Sequence, residues 1–218
     1  MIGQSAGKSF AYVLGVYLGD GCITTWRMKG RSDRLMFRLN TIDEDFARAT
    51  KAALLELTDY SVTVGSHKVP KSTKPNWYLA LGDRVLCERL ICDTDKKAKI
   101  PDYVYGWSRE NKLAFIAGLM DSEGQVSINS RGSIYMGFRS ADRWFMDFIR
   151  VLQSVGLVLG KIGSDILPSG KIYRRVGIKM DSWAKSGARF NIIRKQNRVD
   201  AWASKLTSET LRQTPLSG

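Results

Sequence analysis

Three cysteines and a single histidine among 218 residues are too few for several functional classes. Cys22, Cys87 and Cys92 have neither the spacing of a zinc ligand set nor the even number of a disulfide framework. They imply a reducing, intracellular compartment, with Cys87 and Cys92 as small buried hydrophobes. No apolar run reaches the roughly 20 residues of a membrane-spanning helix. The opening MIGQSAGKSF is too polar and too short for a signal peptide, so a protein that is neither secreted nor membrane-bound is expected. Acidic residues are scarce as well: 21 Asp+Glu stand against 34 Lys+Arg, a formal net charge of +13. Such an excess attracts a polyanion by counterion release, whatever sequence is bound. With 44% hydrophobic residues, a chain of this length can bury a proper core as one large domain or two closely packed halves.

What is present is a repeat. AYVLGVYLGDGCI, from Ala11, matches AFIAGLMDSEGQV, from Ala114. Ala11, Gly15 and Gly19 correspond to Ala114, Gly118 and Ser122. Small residues every four positions lie on one helical stripe, and a stripe without bulk lets two helix backbones approach closely. Gly15 and Gly118 are the expected helix-interface positions. After each stripe comes a carboxylate, Asp20 or Glu123, and then Gly21 or Gly124. If the two stripes pack together, both carboxylates arrive side by side at one end of the helix pair.

The repeat continues through two hairpins and further helices in each copy. CITTWRMK and RLMFRLNT read as the first hairpin, and QVSINS with SIYMGFRS as its second-copy counterpart. The helical stretches IDEDFARATKAALLEL and ADRWFMDFIRVLQSV follow, the latter with Gly156 as its C′ residue. YSVTVGSHKV and NWYLALG form the second hairpin of the first copy. LVLGKIGS and KIYRRVGIKM, separated by a loop around LPSG, form that of the second. DRVLCERLI closes the first copy as a helix; DSWAKSGARF and NRVDAWASKLTSETLRQ close the second. DTDKKAKIPDYVYGWSRE joins the copies. The expected fold class is α+β: two pseudo-symmetric αββαββα halves, each with a four-stranded antiparallel sheet. The expected units are residues 1–98, and 99–218 including the linker.

The strands alternate in character. Leu35, Phe37 and Leu39 oppose Arg34, Met36, Arg38 and Asn40. Val126 and Ile128 oppose Gln125, Ser127, Asn129 and Arg131. Ile172, Val176 and Ile178 oppose Lys171, Tyr173, Arg175 and Lys179. One face would pack on helices, as in half-buried antiparallel sheets. The other carries the residue types that contact base edges and phosphates. A single such face is equally an ordinary solvated surface; its repetition over several strands of a +13 chain argues for nucleic acid. Trp26 falls on the polar face of its strand unless it packs inward. Trp107, Trp144, Trp183 and Trp202 read as core or helix-packing residues.

VLGVYLGDG (Val13 to Gly21) and IAGLMDSEG (Ile116 to Gly124) resemble the signature of the LAGLIDADG homing endonucleases, in the single-chain form with two motifs. The resemblance covers nearly the whole chain. It departs at Leu18, where the family's motif has an acid that Asp121 keeps in the second copy. It implies a DNA-binding saddle laid in successive major grooves of double-stranded DNA, and a monomer. The activity implied is cleavage of both strands at one long, weakly palindromic target, as in the homing of a mobile intron. Carried over, the metal-binding acids are Asp20 and Glu123, with Gly19 and Ser122 beside them. The basic residue of each last strand matches Lys179, with Gly82 in its place in the first copy. The polar residue at the end of the second strand matches Asn40, and either Arg139 or Ser140. Asp20, Glu123, Lys179 and Asn40 are thus the catalytic candidates. Thr24, Trp26, Arg34, Arg38, Asn40, Asn76, Tyr78, Gln125, Ser127, Asn129, Arg131, Tyr135, Arg139, Tyr173, Arg175 and Lys179 are the DNA-binding candidates. His67 reads as a DNA or solvent contact.

The chemistry agrees with the residue types. Phosphodiester hydrolysis needs an activated water, neutralised non-bridging oxygens and a stabilised leaving oxygen, roles that hard divalent ions fill from carboxylate sites. Two adjacent carboxylates repel unless a cation intervenes. Mg²⁺ is the expected cofactor, with Mn²⁺ substituting and Ca²⁺ binding without supporting cleavage. An Asp-Gly after one helix is by itself an ordinary C-terminal turn; the repeated pair is what carries the reading. Two alternatives stand beside it: a DNA-binding regulator on the same fold that does not cut, and a maturase with intron RNA as partner.

Overall fold

The computed structural model describes residues 4–27, 33–70, 73–128, 133–141 and 143–213, with side chains described within 7–205. The expected Asn129 and Arg131 contacts lie outside the described residues. The first half runs α1 (Gln4–Leu18), β1 (Cys22–Trp26), β2 (Arg34–Thr41), α2 (Glu44–Leu55), β3 (Thr63–Lys68), β4 (Pro75–Leu81) and α3 (Arg84–Asp93). A 3-10 turn at Asp102–Gly106 lies in the connection. The second half repeats the order: α4 (Arg109–Glu123), β5 (Gly124–Ile128), β6 (Ile134–Ser140), α5 (Phe145–Ser154), β7 (Gly163–Ile166), β8 (Ile172–Gly177) and α6 (Met180–Ser186), followed by α7 (Ile193–Gln213). The strands form two four-stranded antiparallel sheets, ordered β1-β2-β4-β3 and β5-β6-β8-β7. The fold class is α+β, as the repeat predicts. Among the described residues, no helix is long and apolar enough to cross a membrane.

The core is built around α1 and α4. Residues 9–18 of α1 and 115–121 of α4 are buried on all sides, the pattern of a helix enclosed by its own protein. Gly15 lies against the Phe115 carbonyl and 2.8 Å, at its Cβ position, from the Leu119 amide. Gly118 lies in the same way against the Tyr12 carbonyl and the Val16 amide. Further along, Gly19 abuts Ser122. The partners advance together along both helices, so α1 and α4 are parallel and end at the same place. The two glycines after the acids are also fixed by space: a Cβ on Gly21 would press on Tyr17, Val16 and Phe37, and one on Gly124 on Met120. Each chain must leave its helix close to the preceding turn.

The inward sheet faces complete the core, with Phe37, Leu39, Leu79 and Leu81 from one sheet and Val126, Met136, Phe138 and Val176 from the other. Trp144 and Trp183 are fully buried, and Trp107 and Trp202 pack against the core. Gly156 ends α5 in the left-handed region at φ +82, where glycine carries no Cβ penalty.

Several expectations change. The third strand of the second half is Gly163–Ile166, not LVLGKIGS. Leu157 is buried in the core and Leu159 makes only an isolated bridge to Ile178, so the apolar letters there mark a connecting segment. Ile128 and Ile172 are exposed near strand ends rather than buried. Cys87 is buried, but Cys92 is exposed. The last helix starts at Ile193, four residues before the expected start.

If the helix pair is the central joint, Gly118→Ala places a methyl group against the Tyr12 carbonyl and destabilises the protein by about 1–3 kcal/mol. Gly82→Ala is the control, because nothing lies within 4 Å of its Cβ position. Thermal unfolding should show a lowered Tm for the first and none for the second. Equal melting curves for wild type and Gly118→Ala would mean the helices do not meet there.

Candidate functional site

Parallel packing brings the ends of α1 and α4 together. The Cβ position of Gly19 lies 3.5 Å from the Glu123 Cγ and still closer to Ser122. Asp20, next in the chain, and the half-buried Glu123 thus follow from adjoining helix ends. Asp20 keeps access to solvent, yet the protein around it pushes its carboxyl above the ordinary range, while Lys195 and Lys97 act in the opposite direction. Two helix C-termini add to this negative focus, since each ends in unsatisfied carbonyls and the negative end of a dipole.

Two lysines absent from the sequence-based candidates answer it. The Lys97 Nζ donates to the Gly19 carbonyl at 2.7 Å and lies 5.3 Å from the centre of the Tyr17 ring. It is carried by Asp95, Lys96 and Lys97, three consecutive non-glycine residues at positive φ (47, 53 and 71). That conformation costs roughly 1–2 kcal/mol per residue, so this stretch of the apparent linker holds a specific shape. On the other side, Lys195 is 4% exposed. Its Nζ donates to the Met120 carbonyl at 2.9 Å and the Asp121 carbonyl at 2.6 Å. Burial lowers its pKa to about 8, with Asp121 the largest opposing influence.

A cleft of about 550 Å³ opens at this point, lined by Asp20, Asn40, Asp121, Ser122, Gln125 and Ser127, and by Arg194, Lys195 and Arg198 from the start of α7. Asp121, the acid retained in the second motif, is an anchor for that helix. Its carboxylate accepts from the Tyr12 hydroxyl, from the Asn191 amide and side chain, and from the Ile192 amide. Burial raises its pKa to about 6, although those hydrogen bonds act to lower it. α7 also reaches the first half. Asp45 accepts from the Ile193 amide, and Asp43 accepts from the Arg194 Nε at 2.7 Å and Nη2 at 2.8 Å. Arg198 donates to the Val126 carbonyl on the edge strand β5.

The outward faces of both sheets carry the remaining candidates. Thr24 and Trp26 pair with Met36 and Arg34 in register and share their face with Arg38, Asn40, Asn76 and Tyr78. Trp26 is 46% exposed, with the Arg38 guanidinium 5.5 Å from its ring, so it belongs to the polar face. His67 lies opposite Asn76 on that face. In the second sheet Gln125, Ser127, Tyr135, Arg139, Tyr173 and Arg175 face outward together. The register also settles the counterpart of Asn40. Cys22 pairs with Arg38, and Gln125, the matching residue of the second copy, pairs with Gly137. Counting two residues on, Asn40 matches Arg139. Ser140 matches Thr41 and is buried.

Lys179 keeps its place as a candidate, but not on the last strand. β8 stops at Gly177, and the Lys179 amide donates to the Val158 carbonyl as α6 begins. Its side chain is exposed. The cations that act on Asp20 are Lys195 and Lys97. In the sequence, Lys97 lies in the segment that reads as a linker, and Lys195 lies between the two expected helices that close the second copy.

No family model matches the sequence, and no curated protein matches it. Solved structures do. Mesophilic variants of the homing endonuclease I-DmoI align with TM-score 0.60 and 17% identity, over 87% of this chain and 97% of that one. The LAGLIDADG meganuclease I-AabMI, bound to uncleaved DNA, aligns with TM-score 0.51 and 14% identity, over 92% of each. The N-terminal LAGLIDADG domain of WhiA aligns with TM-score 0.54 and 12% identity, over 85% of this chain and 81% of that one. The chain has the single-chain, two-motif LAGLIDADG fold.

The donors at the ends of the LAGLIDADG helices suit a hard cation: carboxylate and carbonyl oxygens, without nitrogen or sulfur. Among the described residues, no three His, Cys, Asp or Glu side chains converge. Asp20 and Glu123 would need water and substrate oxygens to complete a coordination shell. The Gly19 carbonyl is already engaged by Lys97, which removes one of its lone-pair directions from such a shell.

The Arg194–Asp43 pair should tie α7 to the first half in a pH-dependent way. Hydrogen bonds from Arg194 are the first cause of the lowered Asp43 pKa, so the stabilisation is present above the ordinary aspartate range and is lost as pH falls through the lowered value. The Arg194 side chain is 45% exposed, so screening limits the pair to about 1 kcal/mol. Arg194→Met should lower Tm at pH 7 by about 2–4 °C, with the gap closing as pH is taken from 5 to 3. A gap that persists unchanged at pH 3 would assign the loss to packing instead.

Proposed function

We propose that the chain is a DNA endonuclease that lays its two sheets along one long duplex site and hydrolyses both strands at the seam between its halves. The observation that carries this reading is the meeting of the two helix ends, where Gly19 abuts Ser122 and Glu123 and the next residue, Asp20, lines a cleft flanked by the outward sheet faces. A backbone brought across that seam presents its phosphates to the acids, while the +13 chain supplies the long-range attraction. The DNA complexes of I-DmoI with Mn and with Ca support duplex DNA as partner and a divalent cation as cofactor.

In this reading Asp20 and Glu123 hold the cation, which supplies an acidified water and neutralises charge at the phosphate. Mg²⁺ is the proposed ion, with Mn²⁺ as a substitute and Ca²⁺ supporting binding alone. Lys97 and Lys195 offset the negative helix ends, so that acids and phosphate can come together. Asn40, Gln125 and Ser127 line the cleft and can orient water by hydrogen bonding. Lys195 is buried against backbone carbonyls and acts as a positioning residue that fixes the last turn of α4. The protein works as a monomer, since both halves of the site lie in one chain.

A second reading is a protein on the same fold that binds DNA without cutting; among the described residues no third metal-ligating side chain joins the two acids. Intron RNA remains a separate proposal, tested by competition against the duplex. One experiment separates cutting from binding. Asp20→Asn and Glu123→Gln should each slow Mg²⁺-dependent cleavage of the selected duplex at least a hundredfold, about the scale of losing one electrostatic catalytic group. Affinity measured in Ca²⁺ should stay within a few-fold of wild type. Cleavage at the wild-type rate by both variants would place the active site elsewhere, and a wild-type protein that binds but never cuts would select the second reading.

A further inference from the structure

Asp165 has no part in the acid pair, yet it sits on the outward face of the second sheet among positive groups. Its Oδ1 is 3.4 Å from the Arg175 Nε, and its Oδ2 is 3.7 Å from the Arg139 Nε. Arg139 also lies 4.7 Å from the centre of the Tyr173 ring. Arg139 and Arg175 are direct partners on β6 and β8, Asp165 is the partner of Tyr173 on β7, and Gly163 is the partner of Arg175. A Cβ on Gly163 would lie 3.2 Å from the Arg175 Nε, so the glycine leaves room for that guanidinium to lie across β7 toward Asp165.

The matching positions of the first half hold different chemistry. Register equates Arg139, Arg175, Asp165 and Tyr173 with Asn40, Tyr78, His67 and Asn76. Gly65 matches Gly163, and Tyr78 lies over it as Arg175 lies over Gly163. The same scaffold thus presents a carboxylate between two guanidiniums in one half and amides and rings in the other.

Position within the sheet says what this cluster meets. Four strands about 4.8 Å apart span roughly 14 Å between the outer two, more than the roughly 12 Å width of a major groove. On a sheet laid along a major groove, the outer strands would face the groove walls, and β6 and β8, the inner pair, would face the bases. An arginine whose Nε faces a carboxylate still has both terminal nitrogens to offer in a fixed plane. That fork matches the O6 and N7 acceptors of guanine.

We infer that Asp165 orients Arg139 and Arg175 as a guanine-reading pair, which makes the second half-site different from the first at symmetry-related positions. Asp165 is a positioning residue here; the two arginines make the base contacts. The inference rests on the DNA-binding part of the proposed function and not on cleavage.

The test is selection of bound duplexes from a randomised library in Ca²⁺, with wild type, Asp165→Asn and Arg175→Lys. Wild type should enrich guanine at two nearby positions in one half-site only. Asp165→Asn removes a negative charge beside DNA, so overall affinity should hold or rise, while guanine preference at those positions falls by about tenfold. A merely structural role would lower affinity at every position instead. Arg175→Lys keeps the charge but loses the fork, and should relax one guanine position alone. The inference is overturned if Asp165→Asn leaves the base profile unchanged, or if Arg175→Lys selects the same guanines as wild type. A wild-type protein that selects a long site without those guanines overturns this inference alone; one that selects no site overturns the proposed function with it.

Discussion

Two parallel helices that end at the same point impose the constraint on which the rest of this structure depends. Their contact is close because Gly15 and Gly118 each rest on the other helix's backbone. Parallel packing then sums what antiparallel packing would separate: two negative helix ends and the two carboxylates that follow them. A bulky residue in either stripe would separate the halves, and an antiparallel arrangement would move the acids to opposite ends of the molecule. The core joint and the candidate site are therefore consequences of one packing choice.

Such a concentration of negative charge must be offset, and each half does so differently. The first half uses Lys97, delivered by a run of left-handed residues. The second uses Lys195, delivered by the first turn of α7, which Asp121 anchors and Asp43 and Asp45 tie to the opposite half. The scaffold is pseudo-symmetric but its electrostatics are not. The outward sheet faces show the same relation: equal registers, with Asn40, Tyr78 and His67 in one half and Arg139, Arg175 and Asp165 in the other. A symmetric frame with asymmetric side chains suits a target whose two halves differ in sequence.

The fold was largely legible in the letters because it rests on local periodicities. Small residues every four positions mark the helix joint, and alternation marks Leu35, Phe37 and Leu39 as inward-facing. Legibility failed where tertiary contacts override local pattern. LVLGKIGS alternates like a strand, but Leu157 is drawn into the core as part of a connection. The true strand at Gly163–Ile166 is a sheet edge whose short sequence carries little apolar signal. Lys179 stands two residues beyond the end of β8 at Gly177, where strand alternation no longer fixes the direction of a side chain. Lys97 and Lys195 could not be found from spacing, because each meets a helix end more than seventy positions away. The choice between Arg139 and Ser140 required strand register, which one sequence does not contain.

The central claim is that the joined helix ends form one cutting site across a duplex read by both sheets. Incubation of the protein with a randomised library of long duplexes in Mg²⁺, followed by sequencing of all new ends, tests it most directly. The account predicts a single class of cut site, roughly 20 base pairs long, with unlike halves and with both strands cut near its centre. Ends scattered without a shared sequence, or a cut at one edge of the selected site, would contradict it.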